Sequence, residues 1–385
     1  MKHTLRKLFA FDAHGGEHPE RVESLDVLRG LLALCVALYH FAVWTHALEG
    51  GARSAAVILG VYSVEGFFVI SGFCFFHLYA GTTLRGAALW RFHIKRFFRI
   101  APLYYCAILL GVVFAFDQTV GPRVTLGRVV ENITLSFGLI HPNHAMVLGG
   151  WSIGIEYVFY LVLPVLLRVA RARWALYALG VVLLACAVPY NFGSVQAAAE
   201  PQQFHEYVQI PNHAFLFVLG AVIADLRAHL RFRLPWLVTL ALLTFVFTWA
   251  ARAQPEFLQH LEVMVDFARV KYVALCWLTV LLFAFTKLPT GGVFRPLAWL
   301  GEISYSVYLM HPYAWRMLEP WLGPALSPIT QLFSGLCATL ALATLTWRFV
   351  EKPFSALGQR LARDERQVLN SDPRVTVCSG SECEA

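Results

Sequence analysis

The sequence predicts an all-α polytopic membrane protein, a bundle of about ten transmembrane helices with both termini cytoplasmic. Three observations carry this. Of 385 residues, 58% are hydrophobic and 14% charged, with a mean hydropathy of +0.59, which leaves a soluble fold too little polar surface to cover itself. Apolar runs of helix-spanning length recur along the chain. Lys and Arg collect in alternate connections.

The first run, Leu25 to Ala47, is longer than the apolar core of a secretory signal, and no small-residue cleavage site follows it. It reads as a retained span behind a cytoplasmic segment, residues 1–24. Further runs lie near 56–79, 100–117, 151–170, 174–192, 210–227, 235–251, 270–287, 294–318 and 327–347. They define a membrane domain over 25–353, followed by a polar cytoplasmic tail, 354–385.

Segment 129–149 is long enough to cross but carries Glu131, two Asn, two His and a Pro. Charge arbitrates. If it does not cross, 23 of the 31 Lys and Arg fall on the inner side and 7 on the outer; if it does, the clusters at Arg168, Arg171, Arg173 and at Arg227, Arg231, Arg233 move outside. Residues 118–150 are therefore expected as an outer loop. The same topology accounts for the net charge of +7 without nucleic acid. Six cysteines lie singly in apolar runs, where Cys behaves as a small hydrophobe. Cys378 and Cys383 in the tail lack a nearby His, and no metal site is expected.

Ionisable residues inside spans are expensive and mark function. In LDVLRGLLALCVALYHFAVW, Arg29 and His40 are eleven residues apart, which returns a helix nearly to its starting direction and separates them by about 16 Å. Asp26, Arg29 and His40 share a stripe whose small members are Ala33 and Val36. In GEISYSVYLMHPY, Gly301, Ser304, Tyr308 and His311 share a face. Ser152 and Glu156 do so in WSIGIEYVFY, as do Glu65 and Gly72 in SVEGFFVISGF. The topology puts His40, His311, Glu156 and Glu65 at roughly one depth in the outer half, where a carboxylate beside an imidazole tunes a general base. Packing by small and polar stripes is the alternative reading of these faces. On the inner side, Arg91, Lys95, Arg96 and Arg99 cluster before the third span. Arg99 is expected to open that helix, with Pro102 in its first turn. Such a cluster suits phosphates as well as plain membrane anchoring.

Taken in order, LDVLRG with His40 ten residues beyond Arg29, SVEGFFVISGF, KRFFRIAPLYY, WSIGIEYVFYLVLP and GEISYSVYLMHP resemble the acyltransferase-3 family of integral-membrane acyltransferases over about residues 21–353. The resemblance implies a plasma (inner) membrane enzyme that moves an acyl group, by default acetyl, from cytosolic acyl-CoA to a hydroxyl of a glycan or lipid-linked glycan. No bound cofactor is implied, only acyl-CoA as co-substrate. By position, His40 is the catalytic histidine and Arg29 its partner. Arg99, Pro102, Ser71, Gly72, Trp151, Glu156, Tyr305 and His311 fall on recurrent positions, and Glu65 stands where an acidic residue is common. Some relatives add a C-terminal hydrolase-like domain that this sequence is not expected to carry.

The resulting expectation is that Arg29, Arg96 and Arg99 bind the donor. His40 acts as general base or transient acyl carrier, with Glu156 first, then His311 and Glu65, to orient it. Asp26, Ser152, Ser304, Tyr305 and Tyr308 support the site. A secondary transporter or flippase running an intramembrane His/Glu proton relay is the rival.

Overall fold

The computed structural model describes residues 21–121, 124–230, 232–252, 262–289, 291–322 and 326–363. Most of the expected 1–24 segment and of the 354–385 tail, with Cys378 and Cys383, lies outside the described residues. The architecture is all-α. Its principal helices are α1 (Glu23–Thr45), α2 (Gly50–Tyr79), α3 (Gly86–Val113), α4 (Gly150–Val169), α5 (Arg173–Tyr190), α6 (Ala214–His229), α7 (Trp236–Arg252), α8 (Asp266–Phe285), α9 (Phe294–Glu302), α10 (Ser304–Leu318), α11 (Pro328–Thr346) and α12 (Lys352–Leu361). The only strands among the described residues are the two-residue pair Leu234–Pro235 and Thr286–Lys287.

Eight helical segments among the described residues are long and apolar enough to cross a membrane. They coincide with eight of the ten expected spans. Of the other two, α7 has 17 residues, and the expected span 294–318 is broken at Ile303 into α9 and α10. The break follows from close packing: a Cβ on Gly301 would lie 2.0 Å from the Asp26 carbonyl of α1, and the Ser304 hydroxyl donates to the Gly301 carbonyl at 2.9 Å. Large apolar side chains such as Leu109, Val165, Val181, Phe245 and Phe333 are exposed on the outer faces, as lipid requires. The protein is a multi-pass integral membrane protein.

The tightest crossing is α2 on α6. A Cβ on Gly72 would meet the Phe217 carbonyl at 1.9 Å, and one on Gly220 would meet the Val69 carbonyl at 2.0 Å. Only hydrogen fits at either position, so the two backbones touch, as small residues allow between membrane helices.

Two local expectations change. The third span begins at Gly86, more than three turns before Arg99, so Pro102 is interior. The added turns carry the buried Phe92 and a surface for α12, where a Cβ on Gly358 would strike Phe98. This tertiary contact holds a helix that the charge-rich sequence does not advertise. Segment 129–149 folds as short pieces, Leu126–Thr134, Phe137–Ile140 and Pro142–His144, none long enough to cross, as expected of a loop.

Candidate active site

A cavity of about 260 Å³ opens among α1, α2, α3, α4 and α10. Its basic end is lined by Arg21, Asp26, Arg29, Lys95, Arg96 and Arg99; its walls include Ser71, Glu156, Tyr160, Ser304 and Tyr305; its far end is closed by Ser152 and Tyr308. The expected donor cations and most of the supporting residues therefore meet in one space.

At the basic end, Asp26 Oδ2 is 2.5 Å from Arg21 Nε, and Asp26 Oδ1 is 3.9 Å from an Arg29 nitrogen. The Arg96 guanidinium lies 4.6 Å above the Phe75 ring, a cation–π contact. Arg99 is paired with Glu351, whose other oxygen accepts from Ser306 Oγ at 2.7 Å. Neither Glu351 nor Ser306 stands out in the sequence, because Glu351 follows the last apolar run and reads as a solvated helix end. A π-helical turn, Trp347–Glu351, rotates it inward instead, leaving the residue 1% exposed. Such turns re-aim a side chain by one inserted residue.

Within the cavity, Glu156 Oε1 accepts from Ser71 Oγ (2.8 Å) and from the Tyr160 hydroxyl (2.6 Å). Tyr305 donates to the Ile100 carbonyl at 2.9 Å, tying α10 to α3. The Tyr308 hydroxyl donates to the Gly149 carbonyl (2.9 Å) and lies 2.9 Å from Ser152 Oγ. The far wall is thus locked to the segment that leads into α4.

One turn beyond Tyr308 is His311, buried, with Nε2 3.1 Å from Nδ1 of His40. The local sequence explains its orientation. Pro312 has no N–H to give the Tyr308 carbonyl, which would be its helical acceptor. His311 Nδ1 takes that carbonyl instead, at 2.7 Å. With its proton on Nδ1, His311 presents Nε2 as an acceptor. His40 Nδ1, 3.0 Å from the Val36 carbonyl and 3.1 Å from His311 Nε2, then carries the proton of its own ring. Both neighbours of that atom are acceptors. The basic lone pair of His40 is therefore on Nε2. Trp44 stacks against both imidazoles, its ring centroid 5.3 Å from that of His40 and 6.1 Å from that of His311.

Four expected members, Glu65, Trp151, Gly72 and Pro102, are outside both the cavity lining and the His40–His311 pair. Glu65, fully buried, is ion-paired with Arg269 and accepts from the Tyr207 hydroxyl at 3.0 Å; it faces α8 and the segment before α6, and does not contact His40. Trp151 packs edge-on to Phe68 and to the same Tyr207. By the expected topology Arg269 is one of the seven outer Lys and Arg, so the sequence does not show the pair. Glu156 lines the cavity and is not in contact with His40, whereas His311 lies within hydrogen-bond reach of that imidazole. Gly72 is at the α2–α6 crossing, and Pro102 is within α3.

The family described as an acyltransferase domain, acyltransferase-3, matches residues 22–348, which contain all of these residues except Glu351 and Arg21. The chain belongs to this family. It is therefore an acyltransferase. This acyltransferase is 26% identical to Acyltransferase MdmB of Streptomyces mycarofaciens over 84% of its own length and 87% of that protein's. It is 25% identical to Nodulation protein 10 of Rhizobium leguminosarum bv. viciae, over 86% and 92% of the two chains. Against Peptidoglycan O-acetyltransferase OatA of Listeria monocytogenes it is 24% identical over 88% of its length but spans only 56% of that relative. No solved structure matches it.

Proposed function

We propose that this acyltransferase moves an acetyl group from cytosolic acetyl-CoA to a hydroxyl of a glycan or lipid-linked glycan, as a multi-pass enzyme of the plasma (inner) membrane with the basic end of the cavity toward the cytosol. The observation that carries the reading is the order of the basic cavity end, the polar cavity and, behind its Ser152–Tyr308 wall, the His40–His311 pair one turn beyond Tyr308. Arg29, Arg96 and Arg99 form an electropositive mouth for the donor's phosphates. In this reading the pantetheine arm enters the cavity and the nucleotide stays at its basic end. The span from Arg29 to His40, about 16 Å along α1, is consistent with charge recognition and chemistry at opposite ends of that arm.

His40 Nε2 takes the proton of the acceptor hydroxyl as its oxygen attacks the thioester carbonyl carbon. The tetrahedral intermediate collapses with departure of CoA as its thiolate, which takes up a proton, and the acyl group leaves as an ester of the acceptor. His311 holds the His40 ring and its tautomer; Ser152 and Tyr308 supply hydroxyls at the end of the cavity where the thioester arrives. The glycan acceptor and the acetyl group are supported by the likeness to the Listeria peptidoglycan O-acetyltransferase.

The test is incorporation of label from acetyl-CoA into surface glycan by cells with and without the gene, with wild-type and His40→Ala protein restored. Label that depends on His40 supports the reading; label unchanged by loss of the gene refutes it.

A further inference from the structure

Outside the cavity, one cluster of side chains has the chemistry of a ligand site. On the loop segment that precedes α4, Glu131 projects from the short helix Leu126–Thr134 toward the turn Pro142–His144. His141 Nδ1 lies 3.2 Å from Glu131 Oε1, and His144 Nδ1 lies 2.9 Å from Glu131 Oε2. The two imidazoles are stacked with centroids 4.3 Å apart, and one ligand atom from each residue lies within 4.8 Å of the others. The side chains of His141 and His144 are 49% and 35% exposed, so the cluster is open to solvent.

The backbone beneath it is fixed. Arg128 donates to the carbonyls of His144 and Ala145, both at 2.9 Å. The Asn132 amide donates to the His144 carbonyl (2.9 Å), while its oxygen accepts from Met146 N (2.9 Å) and the Tyr104 hydroxyl (2.6 Å). A ligand arriving here finds the two histidines already placed.

We propose that Glu131, His141 and His144 bind a divalent transition-metal ion of the zinc class. Two imidazoles and one carboxylate suit zinc and its first-row neighbours, whereas calcium and magnesium require oxygen donors. Tetrahedral zinc with bonds of about 2.1 Å sets its ligand atoms roughly 3.4 Å apart, so the present spacing needs only a small adjustment of exposed side chains. The fourth position faces solvent. Bound metal would join helix 126–134 to the turn at 142–144 and so brace the segment that runs through Gly149 to Ser152, the far wall of the cavity.

The test uses the full-length chain in detergent, stripped with chelator, equilibrated with zinc chloride and freed of loose metal. Bound zinc is measured by mass spectrometry for wild type, Glu131→Gln and the double variant His141→Ala/His144→Ala. The expected result is one more zinc per wild-type chain than per double-variant chain, affinity at least about tenfold weaker in Glu131→Gln, and a zinc-dependent rise in melting temperature confined to wild type. Melting in chelator alone shows that the variants fold. Equal zinc content in wild type and double variant, with equal melting shifts, overturns the proposal.

Discussion

His40 Nδ1 and His311 Nε2 face each other at 3.1 Å although 271 residues separate them in sequence. The contact brings the first span against the broken one, and the proton order along Tyr308, His311 and His40 leaves the reactive lone pair on His40 Nε2.

His311 is a positioning residue in this arrangement. His311→Ala should lower kcat by about 100-fold, the scale of a misplaced reacting group, with little change in KM for the acyl donor. His311→Gln, which preserves an acceptor toward His40, should recover part of the loss. Steady-state kinetics on reconstituted protein separate the two; an equal loss in both variants would indicate a merely structural role.

Arg99 and Glu351 make a partly buried pair at the cavity mouth, with Arg99 lining the cavity and Glu351 out of solvent. Removing one member of such a pair strands the other charge, at about 3–5 kcal/mol. Arg99→Ala, which strands the buried Glu351 carboxylate, should therefore lower the melting temperature of the detergent-solubilised protein sharply. The double variant Arg99→Met/Glu351→Leu should regain stability while KM for acyl-CoA stays high, because the donor cation is gone.

Glu65 and Glu156 should part company. Glu65→Gln disturbs the buried Arg269 and Tyr207 network and should reduce the folded fraction, while the protein that folds keeps its kcat. Glu156→Gln, on the cavity wall beside Ser71 and Tyr160, should change turnover with little loss of melting temperature. Melting curves and kinetics of the same preparations check both.

Gly72→Ala forces a Cβ against a backbone carbonyl that cannot retreat alone, so α2 and α6 must separate. Folded yield in detergent, read by size-exclusion chromatography, should fall. Gly193→Ala, with nothing within 4 Å of the added Cβ, should elute as wild type.

Much of this was legible from the chain. Hydropathy located the spans because lipid demands an apolar exterior. Helical spacing put Ser304, Tyr308 and His311 on one face, Arg29 in line with His40, and Ser152 with Glu156. Which residues then meet is a matter of tertiary register, and there the reading divided. Shared depth suggested one cluster of His40, His311, Glu156 and Glu65, but depth says nothing of azimuth, and Glu65 points away to Arg269. The His311–Pro312 step carried a usable signal, since the missing proline N–H frees the carbonyl that orients the imidazole. Glu351 carried none: its inward turn comes from a π-helical insertion that no apolar period marks. In the sequence Glu131, His141 and His144 only make 129–149 a doubtful span that loop charge must decide, and their convergence depends on hydrogen bonds to the backbone made by Arg128 and Asn132.

The central claim, that His40 Nε2 is the base of the transfer, is tested most directly by transfer from radiolabelled acetyl-CoA in proteoliposomes containing wild-type or His40→Ala protein, with rapid quenching to look for label on the protein. The account predicts turnover lower by at least about 100-fold in His40→Ala, unchanged melting temperature, and no label on His40 in wild type. Undiminished turnover in His40→Ala, or acetyl-His40 forming and decaying at the rate of transfer, contradicts it.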